Sequence, residues 1–126
     1  MKYLTKRQIL LLHSQLLAST GGAQGIRDEG LLESALDSPL AGFSEEEFYP
    51  STESKAARLA FGLVNNHPFV DGNKRIGILA LLITLEGNGI VIDVSDDDLI
   101  DLGTRLASGD VDTDGVAEWI NDHKFT

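Results

Sequence analysis

Apolar positions recur at helical spacing over most of the chain. Thr5 and Gln8 have capping-box spacing, in which the hydroxyl accepts from a free amide while the Gln side chain reaches back. Beyond them Ile9, Leu12, Leu16 and Leu17 share one face as far as Ser19, and Gly21-Gly22 end the segment. Asp28 can cap a second, shorter helix carrying Leu31, Leu32, Ala35 and Leu36. Ser38-Pro39 stops it, because a residue before proline is pushed out of the helical region. Residues 41–52 lack periodicity, are acidic at Glu45-Glu46-Glu47 and hold Phe43, Phe48 and Tyr49, so they predict a surface loop or a short hairpin. Ser54 then opens an alanine-rich helix with Ala57, Phe61 and Val64 on one stripe, ended by Asn66, His67 and Pro68.

A further long helix is predicted from near Asn73 to Gly87, followed by Asn88-Gly89. Its apolar residues (Ile76, Leu79, Ala80, Ile83 and Leu85 among them) take up nearly the whole circumference, the pattern of a helix buried at the domain centre. Ile90 to Val94 alternates weakly and suits a short extended piece. Ser95 caps the next helix, with Asp96, Asp97 and Asp98 at the positive end of its dipole. Val116, Trp119 and Ile120 mark a last short helix, in which Trp119 is expected in the core. The pattern predicts an all-α fold: a compact helical bundle with a central buried helix, in a single domain over residues 1–126.

Composition narrows the function. The 126 residues contain no cysteine, which removes disulfide scaffolds, thiolate zinc sites and thiol nucleophiles together. Ten Lys+Arg against twenty Asp+Glu leave a net charge of −10. Such a surface repels phosphate backbones, so direct nucleic-acid binding and attachment to an anionic membrane are not expected. The apolar stretch near the N-terminus is interrupted by His13, Ser14 and Gln15, too short to span a bilayer, and no small-residue cleavage site follows it. A cytoplasmic location is the expectation.

The segment that carries chemistry is His67-Pro68-Phe69-Val70-Asp71-Gly72-Asn73-Lys74-Arg75. It joins two apolar helices, and a connection made for packing alone needs none of its variety. Gly72 permits positive φ and close backbone approach, just where a helix N-terminus presents free amides to an anion. Lys74 and Arg75 add positive charge to that same end. Cations in a first helical turn oppose the dipole, so their placement asks for a compensating anion. Asp71 is a hard oxygen ligand of the kind magnesium uses alongside nucleotide phosphates. His67 is the group whose ordinary pKa allows proton transfer near neutrality.

This stretch resembles the signature of the Fic/Doc family, whose Fic branch is written HPFxxGNGRxxR and whose Doc branch reads H-x-F-x-D-x-N-K-R. Gly25-Ile26-Arg27-Asp28-Glu29-Gly30-Leu31-Leu32-Glu33-Ser34-Ala35 is also similar to a segment common in Doc-like proteins, and the length suits a minimal Doc toxin. The resemblance implies His67 as general base toward a serine or threonine hydroxyl of a target protein, and Asp71 as holder of Mg2+ on the phosphates of ATP or another nucleoside triphosphate. It implies Gly72 and Asn73 as the anion hole, Lys74 and Arg75 as phosphate contacts, and Phe69 as the apolar anchor of the loop. Residues 41–52 lie where the family has a flap that aligns the target segment.

Two departures from the Fic spelling choose between branches. Lys74 replaces its second glycine, and Ile78 stands at its second arginine. The resemblance therefore implies a Doc-like toxin that transfers the terminal phosphate to a cellular protein, with a translation elongation factor as the implied target class. Adenylyl transfer of the Fic type, or a non-catalytic binding member of the family, is the alternative. No inhibitory helix with a glutamate signature is evident, so restraint is expected from a cognate antitoxin. Outside the motif, His13 reads as a packed or partly exposed mid-helix histidine, and His123 as a complement to a helix end. Asp110-Val111-Asp112-Thr113-Asp114-Gly115 matches the start of a calcium loop, but Asn121 occupies the position of its bidentate glutamate, and Asp112 serves equally well as an ordinary helix cap. The acidic run 93–101 reads as a solvated helix start that an antitoxin with basic residues could use.

Overall fold

The computed structural model describes residues 1–125, and Phe43 only in its backbone. Among the described residues six α-helices run in the order α1 (Lys6–Thr20), α2 (Glu29–Asp37), α3 (Thr52–Asn66), α4 (Asn73–Gly87), α5 (Asp96–Ser108) and α6 (Thr113–Asp122). A 3-10 turn at Ser38–Leu40 and an antiparallel ribbon of β1 (Gly42–Phe43) and β2 (Glu46–Glu47) connect α2 to α3. The all-α architecture that the periodicity predicts is the one observed, and of the two readings of residues 41–52 the short hairpin holds. No helix among the described residues is long and apolar enough to cross a membrane.

Local chemistry sets most helix starts. The Thr5 hydroxyl accepts from the Gln8 amide at 3.2 Å, and the Gln8 side chain accepts from the Thr5 amide at 2.9 Å. Ser95 and Asp98 repeat this arrangement at α5, and Asp28 accepts from the Leu31 amide at 2.9 Å to start α2. Helix α3 begins earlier than predicted. Ser51 is its cap and Ser54 the reciprocal partner three residues on, so Ser54 lies inside the first turn and does not open it. Asp112 accepts from the Gly115 amide at 2.8 Å, and residues from Thr113 onward are helical. The acidic turn is thus a helix cap, and among the described residues no group of three or more His, Asp or Glu side chains is gathered to hold a metal ion.

The centre of the bundle is α3. The prediction gave that place to α4. Helix α3 packs against α2, the 3-10 turn, α4, α5 and α6, whereas α4 meets α3, α5 and α1. Side-chain size explains the exchange. Ala56, Ala57, Ala60 and Gly62 let neighbours approach on several sides; a Cβ on Gly62 would sit 3.0 Å from the Ala35 Cβ. The larger apolar residues of α4 fill only the facing side, leaving Ile78, Leu79 and Leu82 half-buried. They line a groove of ≈ 690 Å³ with Leu99 and Ile100 of α5 and Leu16 of α1. Two clusters make the core, and α3 feeds both: Ala57, Ala60 and Val64 face Leu81, Leu102, Val116 and Ile120, while Leu59 and Leu63 face Ile9, Leu32, Phe69 and Ile76. Trp119, predicted in the core, is half-buried and stacks on His123, whose Nδ1 lies 2.7 Å from the Trp119 carbonyl at the end of α6.

Charged contacts give the fold a one-sided pH response. The Glu53 carboxylate accepts from Lys124, which joins α3 to the C-terminal segment and holds the Glu53 pKa below its ordinary value. Asp98 is also held low, first by the Ser95 amide and then by its hydroxyl. A native carboxyl that binds its proton less tightly than the unfolded one adds stability above the ordinary carboxylate pKa, and that stability is lost as pH falls through the lower native value. Thermal unfolding should therefore vary little from pH 7 to 5 and fall steadily below pH ~4. A melting temperature that held constant down to pH 3 would contradict this.

Candidate active site

The end of α3 and the start of α4 face each other across residues 67–72, and each end is finished in an unusual way. Helix α3 stops at His67, which adopts the left-handed conformation (φ 49°, ψ 54°). For a non-glycine residue this costs roughly 1–2 kcal/mol and persists only where surroundings enforce it. Arg27 supplies part of that enforcement: its Nε donates to the His67 carbonyl, and its Nη2 donates to the Asn66 carbonyl at 2.9 Å. A cation here satisfies carbonyls that the helix leaves free and sits at the negative end of the dipole. The backbone is fixed while the His67 side chain remains exposed.

The segment between α1 and α2 braces the same loop. The Val70 amide donates to the Gly25 carbonyl at 3.0 Å, and the Arg27 and Asp28 amides donate to the Pro68 carbonyl at 2.7 and 3.0 Å. Ile26 and Phe69 form an isolated antiparallel bridge. Residues 21–28 are therefore the extended chain beside the motif. The hairpin within 41–52, expected from the resemblance to act as a flap over the site, lies elsewhere. It is held at the opposite end of α3 by Lys55, which donates to the Tyr49 carbonyl and pairs with Glu47 at 2.9 Å. Lys55 precedes His67 by twelve residues, about 18 Å along the helix axis, beyond the reach of two-residue strands.

Inside the loop Phe69 is 1 % exposed, and its ring stacks on His13 of α1 with centroids 3.7 Å apart. Asn73 closes the turn: its Oδ1 accepts from the Phe69 amide at 3.0 Å and its Nδ2 donates to the Phe69 carbonyl at 3.1 Å. The Asn73 side chain is thus spent on holding the loop's shape. Gly72 has φ 79°, and a Cβ on it would lie 2.7 Å from Leu17 Cδ2, so any other residue would have to displace that side chain and adopt a strained backbone conformation.

Among the described residues no side chain caps α4, although the five other helices there all begin with one. Its first-turn amides, at the positive end of the dipole, open on a cleft of ≈ 320 Å³ lined by His67, Val70, Asp71, Gly72, Asn73, Lys74 and Arg75. All the residues that the motif singles out, apart from the buried Phe69, thus border one cleft. Asp71 Oδ1 accepts from the Gly72 amide at 2.8 Å and Oδ2 from the Ala23 amide at 3.3 Å; these bonds, in that order, hold its pKa below the ordinary carboxylate value. Arg75 is tied to the end of α1, where it donates to Thr20 and to the Gly21 carbonyl, and its Nη2 lies 3.6 Å from Asp71 Oδ1. Lys74 is exposed and, among the described residues, has no ion-pair partner.

Gly22 packs against this carboxylate. A Cβ there would sit 2.8 Å from Asp71 Oδ2 and 3.2 Å from Arg75 Nη2, at a φ of 120° that side chains rarely adopt. Gly22→Ala should cost about 1–3 kcal/mol in denaturant unfolding and weaken the Ala23 bond. The Asp71 pKa, followed by NMR titration, should rise back toward the ordinary carboxylate value. An unchanged titration would show that residue 22 does not hold Asp71.

Arg27 and His13 were not singled out for this site by the sequence. Arg27 lies forty residues and His13 fifty-eight from their loop partners, and no local pattern announces either contact. The one signal was the likeness of the Gly25–Ala35 stretch to Doc-like proteins, which carried no role for Arg27.

An exposed histidine at a helix end thus faces an uncapped helix start that bears an aspartate, a glycine and a lysine. The Fic/DOC family model matches residues 3–85, and this chain belongs to that family. It is 36% identical over 118 residues to "Toxin Doc" of Mycolicibacterium smegmatis, covering 92% of this chain and 88% of that one. It is 28% identical over 118 residues to "Protein kinase doc" of Escherichia phage P1, covering 94% and 92%.

Proposed function

We propose that this chain is a Doc-type toxin that transfers the terminal phosphate of a nucleoside triphosphate to a serine or threonine hydroxyl of a cellular protein. The observation that carries the proposal is the shared cleft, with an exposed histidine on one wall and uncapped helix amides on the other. The names of the two relatives, a toxin and a protein kinase, agree with it.

In this reading the first-turn amides of α4 and the Lys74 ammonium receive phosphate oxygens, on which charge develops during transfer. His67 takes the proton of the incoming hydroxyl. The oxygen bonds to the γ-phosphorus, the bond to the β,γ-bridging oxygen breaks, and nucleoside diphosphate leaves. Asp71 would hold magnesium: it is a half-exposed carboxylate, kept ionised by two backbone amides, that borders the cleft. That cation, when bound, neutralises phosphate charge. Ile78 supports phosphate transfer over adenylyl transfer. At the position of the Fic pattern's second arginine it packs on α5, within 3.3 Å of where a Gly103 Cβ would stand.

An antitoxin is the partner that the toxin reading requires. The apolar groove between α1, α4 and α5 supports such a contact, since it adjoins Lys74 and Arg75 and is rimmed by Asp96. Expression of the wild type and of His67→Ala in a bacterial host tests the toxin reading. Arrest of growth and protein synthesis by the wild type alone is expected, and equal effects of the two would remove catalysis from the account.

A further inference from the structure

We propose that His13 is a positioning residue that sets the orientation of the Asp71–Gly72 peptide, and so the phosphate-binding face of the cleft; the proposal rests on the phosphotransfer reading above. His13 is 3 % exposed, so its polar ring atoms depend on partners inside the fold. Its Nε2 lies 2.8 Å from the Asp71 carbonyl oxygen. A carbonyl only accepts, so Nε2 carries the hydrogen and donates. The stack on Phe69, with ring planes 9° apart, fixes where that donor points.

The carbonyl and the next amide belong to one planar unit and point in opposite directions. Drawing the Asp71 oxygen toward α1 therefore aims the Gly72 N–H away from α1, where it meets Asp71 Oδ1. Gly72, with φ 79°, has the freedom to accept the reversed plane. In that reversed plane a carbonyl oxygen would face the cleft in which phosphate oxygens are to be bound, and like charges would meet. The buried ring selects the productive plane, and without its donor the Asp71 carbonyl would be left without a partner beside α1.

Two substitutions separate this role from simple packing. His13→Phe keeps the ring, the stack and the burial but has no donor. His13→Gln gives up the stack yet places an amide donor near the position of Nε2. Stability should rank Phe above Gln, whereas affinity for ATP with Mg2+, measured by calorimetry, should rank Gln above Phe. His13→Phe should lose roughly tenfold in affinity and His13→Gln should regain most of it. The Gly72 amide resonance of the ligand-free protein should move in His13→Phe and stay near its wild-type position in His13→Gln. Affinity that follows melting temperature, or a Gly72 resonance unmoved in His13→Phe, would overturn the proposal. A wild type that fails to bind ATP with Mg2+ while the resonances behave as stated would overturn the phosphotransfer reading and leave the positioning of the peptide standing.

Discussion

His67→Ala should reduce transfer to a protein hydroxyl by about 10²- to 10⁴-fold, the span typical of removing a positioned general base. The fold should hardly notice. The His67 side chain is exposed, and the contacts that fix residue 67 are made by its carbonyl and by Arg27, which alanine leaves in place. Histidine accepts the left-handed conformation several-fold more readily than most side chains, so alanine should cost up to about 1 kcal/mol there and no more. Nucleotide affinity should be nearly unchanged, because the proposed phosphate cradle lies on α4. The combination is distinctive: lost turnover, retained binding, retained stability. Turnover within tenfold of the wild type, measured on a folded variant, would remove His67 from the role of base.

Lys74→Gly is the second large effect expected. It restores the Fic-like spelling of the motif and deletes a cation that has no ion-pair partner among the described residues. Charge-assisted hydrogen bonds to a transferring phosphoryl group strengthen as its charge builds, so loss of this one should slow transfer roughly 100-fold or more. Two smaller effects on stability oppose each other. Removing a cation from the start of α4 relieves an unfavourable contact with the dipole, and glycine in the first turn costs up to about 1 kcal/mol. Adenylyl transfer should not appear in its place, since Ile78 remains packed on α5 where the Fic pattern has an arginine. Full phosphotransfer by a folded Lys74→Gly variant would make the lysine a solvated surface charge. Lys74→Ala, which avoids the glycine, should lose as much activity and so separates charge from backbone.

What could be read from the sequence divides along physical lines. Helix starts at Thr5, Asp28 and Ser95 were legible because a cap is a contact between residues three apart. The motif was legible for a similar reason: its chemistry lies within nine consecutive residues, and the structure needs only to turn the chain once to bring seven of them around one cleft. The start of α3 was misplaced because two serines three apart, Ser51 and Ser54, each make a good cap, and only the backbone decides which one faces outward. The central helix was misassigned because the apolar circumference of α4 outweighed the small residues of α3. Small size, which lets other helices come close, determined centrality. Trp119 shows the same limit, since an aromatic at helical spacing can close the edge of a core as well as fill it.

The contacts that shape the site were the least legible. His13 looked like a packed histidine on α1, and nothing nearby indicates that it reaches Asp71. Arg27 sits in a stretch with no periodicity, yet it finishes α3 from forty residues away. The resemblance points to the aromatic and acidic residues 41–52 as the flap, while the backbone that pairs with Phe69 and Val70 comes from the glycine-rich residues 21–28. A segment held mainly through main-chain bonds leaves little trace in side-chain chemistry. On the proposed function these braces matter to catalysis, because positioning supplies most of the rate enhancement in phosphoryl transfer.

The most direct test follows the atom transferred. The purified protein, Mg2+ and a bacterial extract are incubated with ATP carrying radioactive phosphorus at either the γ or the α position, with His67→Ala in parallel. Label from the γ position should appear on a protein band with the wild type alone, and label from the α position should not. Incorporation of the α label would make this chain an adenylyltransferase of the Fic type, and no incorporation of either label, in extracts whose translation it still arrests, would contradict group transfer altogether.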